Sequence, residues 1–166
     1  MEALGLGHRF WCGQLPPSPS EAIALAERQI AAAATPVTVV GSSLGGYYAT
    51  HLAEKHRLRA VLVNPAVVAH LSLAEFVGPQ TNLYTGETFE FRPECIEELR
   101  SIEVPRISRP QDFLLLVETG DEVLDYRQAV AKYAGARQVV LEGGDHSFTR
   151  WDAYLDTLLE FAGLIP

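Results

Sequence analysis

The sequence of 166 residues has little cysteine, little positive charge and no long apolar run. Cys12 and Cys95 stand far apart, with neither a C-x-x-C redox spacing nor a metal-ligand spacing. Nothing in the opening Met1-Glu2-Ala3-Leu4-Gly5 has the basic start and apolar stretch of a signal peptide, so both thiols are expected to be reduced and the protein cytoplasmic. The five histidines are scattered, and no pair has ligand spacing on an expected helix; no metal and no cofactor is expected. Apolar runs such as Phe113–Val117 are far too short to span a bilayer. Thirteen basic against 21 acidic residues leave a net charge of −8 and no basic cluster, which argues against nucleic acid or an anionic membrane as partner. Apolar residues make up 48% and charged residues 20%, the balance of a globular domain with a real core.

Strand and helix patterns alternate, which predicts one α/β domain over residues 1–166 with a mostly parallel sheet. His8–Cys12 is a short strand candidate. Ser18-Pro19-Ser20-Glu21 predicts a capping box, with Ser18 as N-cap and Glu21 reaching back, opening a helix to about Ala34 whose inner face carries Ile23, Ala26 and Ile30. Val37–Val40 has the composition of a buried parallel strand, and Arg59–Val63, Phe113–Val117 and Gln138–Leu141 follow as further strands. A helix from about Asp125 to Ala134 ends at Gly135. Thr149-Arg150-Trp151-Asp152 predicts a second capping box before a last helix ending near Gly163. Residues 66–110 have only weak helical patterns, such as Pro93–Leu99, and form a lid-like insert.

Gly41-Ser42-Ser43-Leu44-Gly45 fits G-x-S-x-G with Ser43 at its centre; Ser42 lacks the flanking glycines. The motif follows β-favouring residues and opens a helical pattern, the setting in which a sharp turn lifts a serine above the sheet. Small residues two positions away on either side let strand and helix pass closely. The backbone N–H of Leu44 then lies at a helix N-terminus, where developing negative charge is favoured. The absence of a following Lys-Ser or Lys-Thr argues against a phosphate-binding loop.

A serine hydroxyl needs a base to accept its proton, and the base needs an acid to orient it. In a nucleophile-elbow fold the chain order is serine, acid, histidine. His146, in the loop Gly143–Ser147 after the last strand, fits that order. His8 precedes the serine, His51 lies two turns down the helix behind it, and His56 and His70 precede the acids. Asp121, following Phe113–Val117 and a short turn, is the best acid, at the strand end where ligand sites gather. Asp125 is assigned as the N-cap of the next helix and Glu118 lies before the strand end. Asp145 adjoins His146 too closely to reach its ring, and Glu122 is assigned as a solvated charge.

The sequence resembles the YqiA-like esterases, small bacterial α/β-hydrolases. The resemblance is carried by Gln14–Ser20, Val40–Thr50, Val63–Ala66, Tyr84–Glu87, Thr119–Val130 and Glu142–Phe148. It implies a three-layer αβα sandwich of the α/β-hydrolase fold and a Ser43–Asp121–His146 triad with the Leu44 amide in the oxyanion hole. It also implies hydrolysis of small-molecule acyl esters or acyl-CoA thioesters. Leu71, Leu73, Phe76, Val77, Leu83, Tyr84, Phe89 and Phe91 of the insert are candidates for an acyl pocket, or they pack the insert onto the body. Family members begin with a further strand, ending in a Leu-His-Gly-Phe-like motif, and a helix. The expectation is therefore an N-terminally truncated chain whose natural form is longer. The absent strand would lie between His8–Cys12 and Val37–Val40, and the absent loop would supply a second oxyanion donor, worth about 10²–10³ in rate. The competing expectation is an impaired hydrolase-fold protein acting as a binding module.

Overall fold

The computed structural model describes residues 5–81 and 86–166. The elements in chain order are α1 (Pro19–Ala32), β1 (Thr38–Ser42), α2 (Leu44–His56), β2 (Arg59–Val63), α3 (Ala69–Ser72), β3 (Gly78–Thr81), β4 (Thr88–Phe91), α4 (Pro93–Ser101), β5 (Phe113–Glu118), α5 (Tyr126–Lys132), β6 (Arg137–Leu141) and α6 (Leu155–Phe161). β1, β2, β5 and β6 form a parallel sheet in that order, with Val40 opposite Val61 and Leu62 opposite Leu115.

The apolar run of β5 is buried at every position because the strand is covered on both faces. Phe113, Leu115 and Val117 pack with Ala60 and Leu62 against Ala49 and Ala53 of α2, Ala129 of α5 and Tyr133 at its C-cap. Leu114 and Leu116 face the other way with Val61 and Val63, against Leu158 and Leu159 of α6 and Phe148. The period of two along the strand thus builds the three layers, helix–sheet–helix. Each buried leucine contributes roughly 1.5–3 kcal/mol relative to exposure.

A third apolar cluster joins α1, α2 and the insert through Ala22, Ile23, Tyr47, Tyr48, Leu52, Phe91, Cys95 and Leu99. Tyr47 donates from Oη to the carbonyl of Leu99 at 3.0 Å, so α4 is fastened to α2. Ser18 caps α1, its Oγ accepting from the Glu21 amide at 3.3 Å. A remote carboxylate joins the cap: Glu98 Oε2 accepts from Ser20 N and from Ser18 Oγ, both at 3.0 Å. Cys12 is exposed, Cys95 is buried, and neither is bonded to the other. Among the described residues no helix is long and apolar enough to cross a membrane.

The structure corrects four expectations of local conformation. His8–Cys12 is not a strand; a 3-10 turn covers Gly7–Arg9, and Phe10 and Trp11 are both exposed. A strand exists only through its ladder, and among the described residues no ladder partner lies beside this segment. β1 is an edge strand, which leaves Val40 46% exposed despite its apolar run. The insert contains a hairpin, β3 paired antiparallel with β4, that Gly78 and Pro79 concealed. Thr149–Asp152 forms no capping box. Trp151–Tyr154 is a 3-10 turn, which aligns residues three apart, and the rings of Trp151 and Tyr154 both meet Phe148 edge-on.

His51 lies half-buried on α2. Burial, and to a lesser degree the charge of Lys55, lowers its pKa from the ordinary 6.5. The folded state therefore binds this proton less readily than the unfolded chain, and stability falls as the pH drops through the ordinary value. His51→Gln is expected to flatten the fall of Tm between about pH 7.5 and 5.5. An unchanged slope in thermal melts would remove His51 as a source of acid sensitivity.

Candidate active site

Ser43 occupies the turn between β1 and α2 with φ 53° and ψ −122°, a conformation that costs a non-glycine residue about 1–3 kcal/mol. Its main chain is tied to β2 and the segment behind it. Ser43 N donates to the Val63 carbonyl at 3.1 Å, and the Ser43 carbonyl accepts from Gly46 N and Ala66 N, both at 3.0 Å. The steric requirement of the turn falls on Gly41 and Gly46. A Cβ on Gly41 would overlap the Gly45 carbonyl group, and one on Gly46 would come within 2.5 Å of Pro65 Cβ. At Gly45 a Cβ would meet nothing within 4 Å, contrary to the expectation that both motif glycines are needed for close passage. Leu44 is the first residue of α2, so its N–H is one of the amides left without an intrahelical partner.

Ser43, His146 and Asp121 come together at the C-terminal ends of the strands. His146 Nε2 is 3.0 Å from Ser43 Oγ. His146 Nδ1 is 2.9 Å from Asp121 Oδ2 and 3.0 Å from Oδ1. Asp121 follows β5, and its Oδ1 also accepts from the amides of Val123 and Leu124 at 2.8 Å, which fixes the carboxylate plane. Its side chain is 2% exposed and that of His146 is 22% exposed. An Nδ1–H donated to Asp121 leaves the Nε2 lone pair facing the serine hydroxyl.

The competing acids have other partners. Asp125 caps α5, accepting from Arg127 N at 3.0 Å. Asp145 Oδ1 accepts from Ser147 N at 2.9 Å. Glu118 is the last residue of β5 and fully buried; its Oε2 accepts from Asp145 N at 2.9 Å, and Arg150 Nε stands 2.9 Å from Oε1. Glu122 is not simply solvated: its Oε2 accepts from His146 N at 3.0 Å. Phe148, two residues beyond His146, takes φ 53° while its ring is buried, so the histidine loop is anchored in the core.

The insert's apolar residues divide. Phe91 is buried, and Leu73 and Phe89 pack against the same cluster, so these three hold the insert to the body. Leu71, Phe76 and Val77 are exposed. Leu83 and Tyr84 lie outside the described residues, as does part of the Tyr84–Glu87 string. A cleft of about 330 Å³ opens between Pro65, Val67, Val68 and Leu71 on one side and Val123, Leu124, Asp125 and Gln128 on the other. Pro65 abuts the Ser43 turn and Leu124 hydrogen-bonds Asp121, so the cleft adjoins the three-residue chain.

Residues 9–163 match the profile of an uncharacterised protein family, UPF0227. The chain belongs to this family, the YqiA family. Solved structures similar to this UPF0227 member are α/β-hydrolases. The esterase domain of a Rhodothermus marinus protein superposes with a TM-score of 0.59 at 21% identity, over 84% of this chain and 65% of that one. Mouse alpha/beta hydrolase domain-containing protein 10 gives 0.60 at 18%, over 86% and 70%. The monoacylglycerol lipase of Paleococcus ferrophilus gives 0.62 at 18%, over 87% and 75%. The UPF0227 chain thus has the α/β-hydrolase fold and spans 65–75% of the length of these proteins.

Proposed function

We propose that this UPF0227 chain is a serine hydrolase that cleaves acyl esters or acyl-CoA thioesters through an acyl-enzyme. The observation that carries the reading is the chain of hydrogen-bond contacts from Asp121 through His146 to Ser43 Oγ, all between 2.9 and 3.0 Å, on a strained strand-to-helix turn. His146 Nε2 takes the Ser43 proton as Oγ attacks the carbonyl carbon, and Asp121 stabilises the imidazolium. The Leu44 N–H donates to the oxyanion. His146 then protonates the departing alkoxide or thiolate, and water, activated by the same nitrogen, releases the acid and restores Ser43. The cleft beside Pro65 and Leu124, lined mostly by apolar side chains with Asp125 and Gln128 among them, suits an acyl chain or an apolar alcohol.

The test is covalent labelling with a fluorophosphonate, which phosphonylates an activated serine. The folded protein is expected to label at one residue, Ser43 by peptide mapping, and Ser43→Ala to remove the label. A folded sample with no Ser43-dependent label would end the hydrolase reading and leave the fold as a binding scaffold.

A further inference from the structure

The loop carrying His146 lies outside the helices and strands, and side chains from elsewhere hold its main chain. Asn64 follows β2 and is 2% exposed, with φ 39°, a left-handed conformation that asparagine tolerates better than most residues. Its Nδ2 donates to the carbonyls of Asp145 at 3.0 Å and His146 at 3.2 Å. Its Oδ1 accepts from Glu118 N at 2.9 Å, and its own N–H donates to the Leu116 carbonyl at 2.9 Å. The inner end of the loop is therefore registered to two strands through one amide side chain. From the outer side, the exposed Glu122 accepts the N–H of His146 itself. The carbonyl before His146, its N–H and its own carbonyl are all held by Asn64 or Glu122.

We propose that Asn64 and Glu122 are positioning residues for His146: gripping its main chain from inside and outside, they keep Nε2 within hydrogen-bond reach of Ser43 Oγ. Neither has a contact with Ser43 Oγ in this arrangement; both act through the backbone of the histidine. The inference rests on the reading of His146 as the base. Only an amide supplies what Asn64 supplies, two donors toward carbonyls and one acceptor toward an amide. A carboxylate in its place turns an acceptor toward two carbonyl oxygens.

The experiment first titrates the wild-type protein with a fluorophosphonate. Absence of Ser43-dependent label refutes the hydrolase reading, whatever Asn64 and Glu122 do. With the label in hand, kcat per titrated site and KM are measured on a p-nitrophenyl ester for Asn64→Asp, Asn64→Gly, Glu122→Ala and Glu122→Gln. Glycine removes the Asn64 side chain without opposing its φ. Both Asn64 variants are expected to lose about 10- to 100-fold in kcat per site with KM little changed, because a base displaced by a fraction of an ångström still leaves the cleft intact. Glu122→Ala is expected to lose kcat in the same way, and Glu122→Gln, which keeps the accepting oxygen, to restore it. Wild-type kcat per site in Asn64→Gly and Glu122→Ala would overturn the proposal, even if both melt earlier. Should the Asn64 variants fail to fold, the Glu122 pair decides. Loss in alanine with recovery in glutamine supports positioning, whereas equal rates in both, or loss in both, reject it.

Discussion

Asp121→Asn is expected to lower kcat/KM on an ester substrate by about 10⁴-fold while leaving the fold intact. The substitution is nearly isosteric, and the asparagine Oδ1 still accepts from the amides of Val123 and Leu124, as the carboxylate does. What changes is the group facing His146 Nδ1, now 2.9 Å from a carboxylate oxygen. An amide NH₂ replacing Oδ2 there donates, and Oδ1, 3.0 Å from Nδ1, already accepts two main-chain N–H groups, so the tautomer with Nδ1 accepting and the ring proton on Nε2 is favoured. The tautomer then presents N–H toward Ser43 Oγ, 3.0 Å away, and cannot take its proton. Stability is expected to change little, since a nearly buried charge is replaced by a neutral group of the same shape with two of its hydrogen bonds kept. Ester hydrolysis is measured against Ser43→Ala as the floor, with thermal melts to show that each variant is folded. An Asp121→Asn enzyme within tenfold of wild type would show that Asp121 does not orient the base.

The three residues of that chain were legible in the sequence because each is announced locally. Ser43 has its glycines and a strand–helix setting; Asp121 follows the most apolar strand; His146 follows the last strand, in an order the fold dictates. The residues that hold them were not legible. Asn64 reaches a loop 81 and 82 positions away with side-chain-to-carbonyl bonds, which leave no periodic trace. Glu122 has the composition of a surface charge until the backbone of His146 is placed beside it. The same distinction runs through the fold. β5 was recognisable because it is buried on both faces, and composition alone records that. Whether β1 sits inside or at the edge depends on strand order, which its own residues do not encode. Phe10 and Trp11 suit a strand by propensity, yet among the described residues no ladder partner stands beside them. Thr149 matches a helix cap, but the start of the last helix is set by aromatic packing on Phe148 and by Arg150, whose Nη2 donates to the Glu142 carbonyl at 2.7 Å.

Gly41→Ala and Gly45→Ala are expected to have opposite effects, although the two glycines occupy equivalent places in the motif. A methyl group at Gly41 would overlap the carbonyl carbon and oxygen of Gly45 and stand 2.7 Å from Gly46 N. These are backbone atoms of the first turn of α2, so no side chain can rotate away, and relief requires the helix to move off the strand. Ser43 and the Leu44 amide sit in the segment that must move. The expected loss is about 3 kcal/mol or more, and a displacement near 1 Å would cost about 10²-fold in turnover on the protein that remains folded. At Gly45 the added Cβ meets open space, and the residue is the second of α2. Alanine there gains helix propensity of up to about 1 kcal/mol, so Tm is expected to hold or rise. Thermal melts and fluorophosphonate labelling rates of the two variants measure both effects. Equal destabilisation by the two substitutions would mean that the motif acts through backbone freedom at both glycines. The predicted asymmetry instead assigns the requirement to a single close approach, that of Gly41 to the first turn of the helix carrying the Leu44 amide.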